Sequence, residues 1–157
     1  MNRSNGHKID APDLPGTLHR PTHAVPSGSY MVSNRKPERL TAYLGSCVGV
    51  TLWDPLAQLG GLIHLLLPEP TGLSSSFQPE TYAVTGLPLM IRALFQKGAS
   101  PDRLEACMAG GALVGPVSAA DLTLDIGGRT VEVVEQILFR EKSRSFKLKP
   151  AGFLPVV

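Results

Sequence analysis

At 157 residues the chain has the length of one domain, enough to bury roughly 70% of the surface its unfolded form exposes. Its 15 Lys and Arg against 13 Asp and Glu leave a formal charge of +2 with no basic run, which argues against nucleic acid or an anionic membrane as partner. The longest apolar run, 62–67, is far short of the ~20 residues of a membrane span, and the first residues lack the apolar core of a signal peptide; a cytoplasmic protein without membrane insertion is expected.

The 2 cysteines, Cys47 and Cys107, form no CxxC pair. A disulfide between them is not expected in a reducing compartment, so each thiol needs its own explanation. Residues 1–27 are rich in Pro, Asn, His, Arg and Ser without an apolar period, and are expected to be a disordered tail before one domain, 28–157. His7, His19 and His23 lie in that tail, at spacings that suggest no metal site.

From Tyr30 onward the pattern becomes regular. Leu40, Ala42 and Leu44 alternate with Thr41 and Tyr43, predicting a strand that Gly45-Ser46 ends. Val48, Val50 and Leu52 alternate again through Trp53, and Asp54-Pro55 predicts a turn. The run 62–67 predicts a third, buried strand interrupted by His64, and a polar loop follows over 69–78. Leu87, Ile91, Leu94 and Phe95 have the spacing of an amphipathic helix running to about Lys97. Pro88 is expected in its first turn, Thr85 as N-cap and Gly98 as C-terminal stop. Residues 103–108 predict a strand leading into Ala109-Gly110-Gly111-Ala112. Val131, Val134, Ile137 and Leu138 mark a second helix, with Glu132 and Glu135 near its start and Arg140 and Lys142 at its end, as the helix dipole prefers. Residues 145–149 predict a last strand. The early strands form an antiparallel meander, so the expected class is α+β, or a layered α/β sandwich, with a mixed, mostly antiparallel sheet and two main helices.

Two side chains carry candidate chemistry. Cys47 stands where a glycine-containing turn enters an apolar strand, a place where backbone N–H groups, those of Ser46 and Cys47 among them, can approach a thiol and later hold an oxyanion. Taken alone, it also reads as a packed small hydrophobe. His64 is the one histidine inside the predicted domain. A buried imidazole requires a polar partner, since leaving it without one costs about 1–3 kcal/mol, and a core histidine bonded to a carbonyl would satisfy that requirement. The pair is more informative. If the two strands form a hairpin in which Gly49 opposes His64, then His64 and Cys47 share a sheet face as diagonal neighbours, about 7–8 Å apart at the backbone. Gly49 would leave room for the imidazole, and a slip of one residue would separate the pair. Thr41, on the preceding strand, is in position to orient the far imidazole nitrogen, although a threonine in a strand needs no special reason.

The segment T-A-Y-L-G-S-C-V-G-V-T-L-W-D-P over 41–55, followed by G-G-L-I-H-L-L-L-P over 60–68, strongly resembles the chemoreceptor glutamine deamidase family, CheD. The Tyr82-Ala83 pair, Pro88 and the helix to Gly98, then M-A-G-G-A over 108–112 and I-G-G-R over 126–129, resemble later family segments. The resemblance covers about residues 28–140. It implies a layered α/β fold related to cysteine deamidases among bacterial toxins, and a Cys–His–Thr triad landing on Cys47, His64 and Thr41. Cys107 matches no catalytic position and is expected to be structural. The chain departs from the family at Thr130, where Asn is usual. The family's D-x-G-G-x-x-x-R segment and final strand have no counterpart, so the C-terminal part of the domain is expected to be short.

The activity so implied is hydrolysis of glutamine side chains to glutamate on methyl-accepting chemoreceptors, with no metal or organic cofactor. A CheC-type phosphatase is the second partner the resemblance suggests. A weakly active adaptor for receptors or that phosphatase, a thiol hydrolase or transglutaminase acting on another protein, and an α+β domain without an active site are the competing readings.

Overall fold

Two short apolar stretches joined by a tight polar turn form the centre of the sheet. The computed structural model describes residues 21–34, 38–70, 78–111, 125–142 and 147–148. In chain order they form β1 (Thr22–Ala24), β2 (Ser29–Ser33), β3 (Arg39–Thr41), β4 (Val48–Asp54), β5 (Leu59–Leu65), α1 (Ala83–Gln96), β6 (Glu105–Gly110), α2 (Ile126–Lys142) and β7 (Lys147–Leu148), with single 3-10 turns at Pro79–Thr81 and Pro101–Arg103. Five strands make one mixed sheet in the order β2-β5-β4-β6-β7, antiparallel except for β6 and β7, while β1 and β3 pair in parallel as a separate ribbon. This is the α+β architecture expected.

Alternation along β4 and β5 separates the two sheet faces. Val48, Val50, Leu52, Ile63 and Leu65 are buried on one face, in a single cluster with Leu87, Met90, Ile91 and Leu94 of α1 and Val134, Ile137 and Leu138 of α2. The other face carries Gly49, Thr51 and Trp53 of β4 opposite His64, Leu62 and Gly60 of β5. The β1–β3 ribbon reaches this second face, where β3 contacts β5.

The hairpin turn is built on Asp54, whose side chain is fully buried. Its Oδ1 accepts the N–H groups of Leu56 and Ala57, both at 3.0 Å, closing the turn that Asp54-Pro55 predicts. The same carboxylate takes a two-pronged bond from Arg103 (Nε at 3.0 Å, Nη2 at 2.8 Å) and the N–H of Ser100 at 2.9 Å. Burial alone would raise the Asp54 pKa; the guanidinium and the backbone donors more than reverse this and hold it at about 2. The same contact raises that of Arg103.

Three local expectations need correction. Residues 21–27 are not tail: Thr22–Ala24 is a strand, Val25 is buried, and Arg39 N–H donates to the Pro21 carbonyl. Their polar composition hides a ribbon whose backbone bonds are supplied by β3. Residues 1–20 lie outside the described residues, as do most of 145–149 and residues 71–77 of the loop expected over 69–78. Thr85 is not the N-cap of α1; Tyr82 occupies that position without a side-chain capping bond. The first free N–H groups, of Ala83 and Val84, donate instead to the carbonyls of Leu67 and Pro68 at 2.9 and 3.1 Å, so tertiary contact replaces the capping side chain. The helix therefore starts earlier and Pro88 lies inside it. Finally, β3 does not continue to Leu44; the chain leaves extended pairing after Thr41.

Candidate active site

The hairpin register is the one in which Gly49 faces His64, flanked by Val48 opposite Leu65 and Val50 opposite Ile63. Cys47 precedes β4 by one residue, at the end of a bend over 45–47, and is half-buried. Its carbonyl oxygen accepts the N–H of Gly111 at 2.9 Å, which ties the bend to the end of β6. Among the described residues, the N–H groups of Ser46 and Cys47 have no acceptor.

His64 is 4% exposed. Its Nδ1 lies 3.5 Å from the carbonyl oxygen of Val25, at the long limit for a hydrogen bond. A carbonyl can only accept, so this contact is a bond only when Nδ1 carries the proton. That tautomer leaves Nε2 as an acceptor, and Nε2 is buried without a partner among the described residues. Neither the Cys47 thiol nor the Thr41 hydroxyl therefore bonds to it here. Thr41 is linked to the imidazole only indirectly, its carbonyl accepting the N–H of Val25 at 2.8 Å. The register thus brings the Cys47, His64 and Thr41 segments together, while the reactive atoms stay unpaired. Catalytic hydrogen bonds commonly tighten only when substrate binds.

The space over Gly49 is not filled by the imidazole, as the sequence suggests, but by Leu44. A Cβ at Gly49 would lie 2.9 Å from Leu44 Cδ1. The chain after β3 folds back over the sheet, and a leucine covers a strand position that lacks a side chain. Beside it opens an apolar cavity of about 330 Å³, bounded by Leu40, Thr41, Leu44, Thr51, Leu62 and Cys107. Cys107 is buried on this face, opposite Thr51 of β4. Thr130, the departure from the family pattern, is buried and bonds within its own helix, its hydroxyl donating to the Ile126 carbonyl at 2.7 Å.

Sequence reasoning misses the Val25 carbonyl, which lies in a stretch that reads as tail. It also misses Arg103 as the partner of Asp54. No local pattern encodes either contact, because both join segments far apart in the chain.

The hairpin and its surroundings define an α+β protein in which half-buried Cys47 directly precedes the strand paired with that of buried His64, whose Nε2 has no partner among the described residues. A family model described as CheD chemotactic sensory transduction matches residues 66–148, beginning just beyond His64. Relatives extend the likeness. A probable chemoreceptor glutamine deamidase CheD of Desulforamulus reducens is 40% identical over 111 residues, 71% of this chain and 67% of the relative. Proteins of the same name from Symbiobacterium thermophilum and Thermococcus kodakarensis are 39% and 40% identical, covering 80% and 77% of this chain and 77% and 73% of their own. The chain belongs to the CheD family. Among solved structures, the Bacillus licheniformis hypothetical protein YfiH aligns with 85% of this chain and 61% of its own at a TM-score of 0.49 and 16% identity, too loose a likeness to add to this. Among the described residues, no helix is long and apolar enough to cross a membrane.

Proposed function

We propose that this protein deamidates glutamine side chains of bacterial chemoreceptors, with Cys47 as nucleophile and His64 as its base. The observation that carries the reading is the Gly49–His64 register, in a chain whose relatives bear the name chemoreceptor glutamine deamidase. A thiol is a poor nucleophile until its proton is removed. The Val25 carbonyl favours the tautomer whose Nε2 can accept that proton. The thiolate attacks the glutamine carboxamide carbon, and His64 returns the proton to the departing ammonia. Water activated by His64 then hydrolyses the thioester, releasing glutamate and restoring the thiol. The N–H groups of Ser46 and Cys47 are the candidate oxyanion donors. Thr41 supports the imidazole from β3, by its backbone through Val25 and by its hydroxyl once the site closes on substrate. Each conversion adds a negative charge to a receptor helix, in the cytoplasm where receptor signalling domains lie.

The test is to incubate the protein with chemoreceptor cytoplasmic fragments and follow amide-to-acid conversion by mass spectrometry. Conversion that disappears in Cys47→Ser and His64→Ala, both still folded, is the expected result. Conversion that survives in either variant would sink the thiol mechanism. Receptor or CheC-type phosphatase binding without conversion would replace the enzyme by an adaptor.

A further inference from the structure

A nucleophile on a bend needs something to hold the bend still, and here the holding groups lie on two other elements. β6 ends at Gly110, which pairs with Val48, the first residue after Cys47. Gly110 has a φ of +99° and Gly111 one of +73°, in the region that side chains other than glycine's rarely adopt. A methyl group at Gly110 would overlap the Cys47 carbonyl oxygen and approach Leu44 Cδ1 at 3.4 Å. The Gly111 N–H donates to that same oxygen at 2.9 Å. One glycine lets the strand end approach, and the next supplies the bond.

The other side of this pair rests on α2. A Cβ at Gly111 would lie 2.9 Å from Val131 Cγ2, and one at Gly127 would lie 2.7 Å from the Gly111 carbonyl oxygen. The first turn of α2 therefore packs directly on the backbone that grips Cys47. Close-packed interiors transmit small displacements rather than absorbing them.

We propose that Gly110 and Gly111 are positioning residues for the nucleophile: they fix the Cys47 carbonyl, hence the thiol's approach and the Ser46 and Cys47 N–H groups, and couple them to the start of α2. This inference rests on the reading of Cys47 as nucleophile. A displacement of about 1 Å at a reacting group can lower a rate about 100-fold, so the clamp is expected to act on kcat more than on KM.

The experiment compares three variants of the full chain. Gly110→Ala strikes the clamp directly. Gly98→Ala is the control: Gly98 has a φ of +105° but nothing within 4 Å of its Cβ position, so it shares the backbone strain without touching the site. Gly127→Ala pushes on Gly111 from a helical position where alanine is favoured. Thermal melting, kcat and KM on receptor fragments, and the pH profile of Cys47 alkylation by iodoacetamide are measured for each. In Gly110→Ala, kcat is expected to fall about 100-fold with a displaced alkylation profile. Gly98→Ala is expected to melt lower with the profile and kcat of the parent protein, and Gly127→Ala to fall between them. A folded Gly110→Ala with the parent profile and kcat overturns the proposal. If Gly110→Ala does not fold, an unchanged profile in Gly127→Ala overturns it equally. If the parent protein converts no receptor glutamine, the deamidase reading falls, while the alkylation profiles still decide whether the clamp exists.

Discussion

His64 keeps one ring nitrogen buried and, among the described residues, unpartnered, an arrangement that stability alone would not select, because an unsatisfied buried polar atom costs about 1–3 kcal/mol. His64→Leu is therefore expected to abolish deamidation while Tm stays level or rises; a sharp fall in Tm would show that the imidazole serves the core. Asp54 is the opposite case, a buried carboxylate whose oxygens are all engaged. Its folded pKa of about 2 lies below the ordinary 3.8, so its contribution is present above about pH 4 and is lost as pH falls toward 2. With Arg103 about a third exposed, that contribution is on the order of 1–2 kcal/mol. Asp54→Asn should lower Tm at pH 7 and flatten the dependence of Tm on pH between 4 and 2; an unchanged acid limb would refute this. Cys47, His64 and the Asp54 turn are legible in the sequence because each disturbs a local pattern: a glycine-containing turn, a polar residue in an apolar run, an Asp-Pro break. Val25 and Arg103 disturb no pattern, and their roles exist only once distant segments meet.

Among the elements, α1 shows how propensity misleads when tertiary contacts do the capping. Thr85 is a good capping residue, yet its hydroxyl donates to the Pro79 carbonyl, while the N-terminal N–H groups find Leu67 and Pro68. Because the helix begins at Ala83, Pro88 falls where its nitrogen would otherwise donate to the Val84 carbonyl. Pro88→Ala is expected to restore that bond and raise Tm by about 2–4 °C, the equivalent of about 1 kcal/mol in a domain of this size; a lower Tm in the thermal melt would show that the ring's packing outweighs the missing bond. The β4–β5 hairpin is the element best foreseen. Its register, which the sequence leaves open, matches Val50 to Ile63 and Val48 to Leu65 on the helix-facing side, and a one-residue slip would turn that apolar set outward. What periodicity does not foretell is β1 and its parallel pairing with β3, because a three-residue strand without an apolar period leaves no trace in composition.

For the molecule as a whole, one sheet divides the labour. Its helix-covered face supplies the core, and its other face, where the packing is looser and a cavity opens, carries the candidate chemistry. A core substitution away from α2 such as Leu94→Ala, at a fully buried position of α1, should cost about 2–5 kcal/mol without changing the pH profile of Cys47 alkylation in the protein that remains folded; a changed profile would mean that α1 too is coupled to the Cys47 bend. The short β1 strand has a consequence of its own. The segment that bonds the imidazole comes from the very beginning of the described chain and is held by its pairing with β3, by main-chain bonds between Arg39 and Pro21, Val25 and Thr41, and Gly28 and His64, and by the burial of Val25. A protease that nicked the chain just before Ser29 would thus be expected to strip His64 of its carbonyl partner by releasing a peptide of no chemical distinction, while Cys47, His64 and the sheet–helix core stay in the remaining chain.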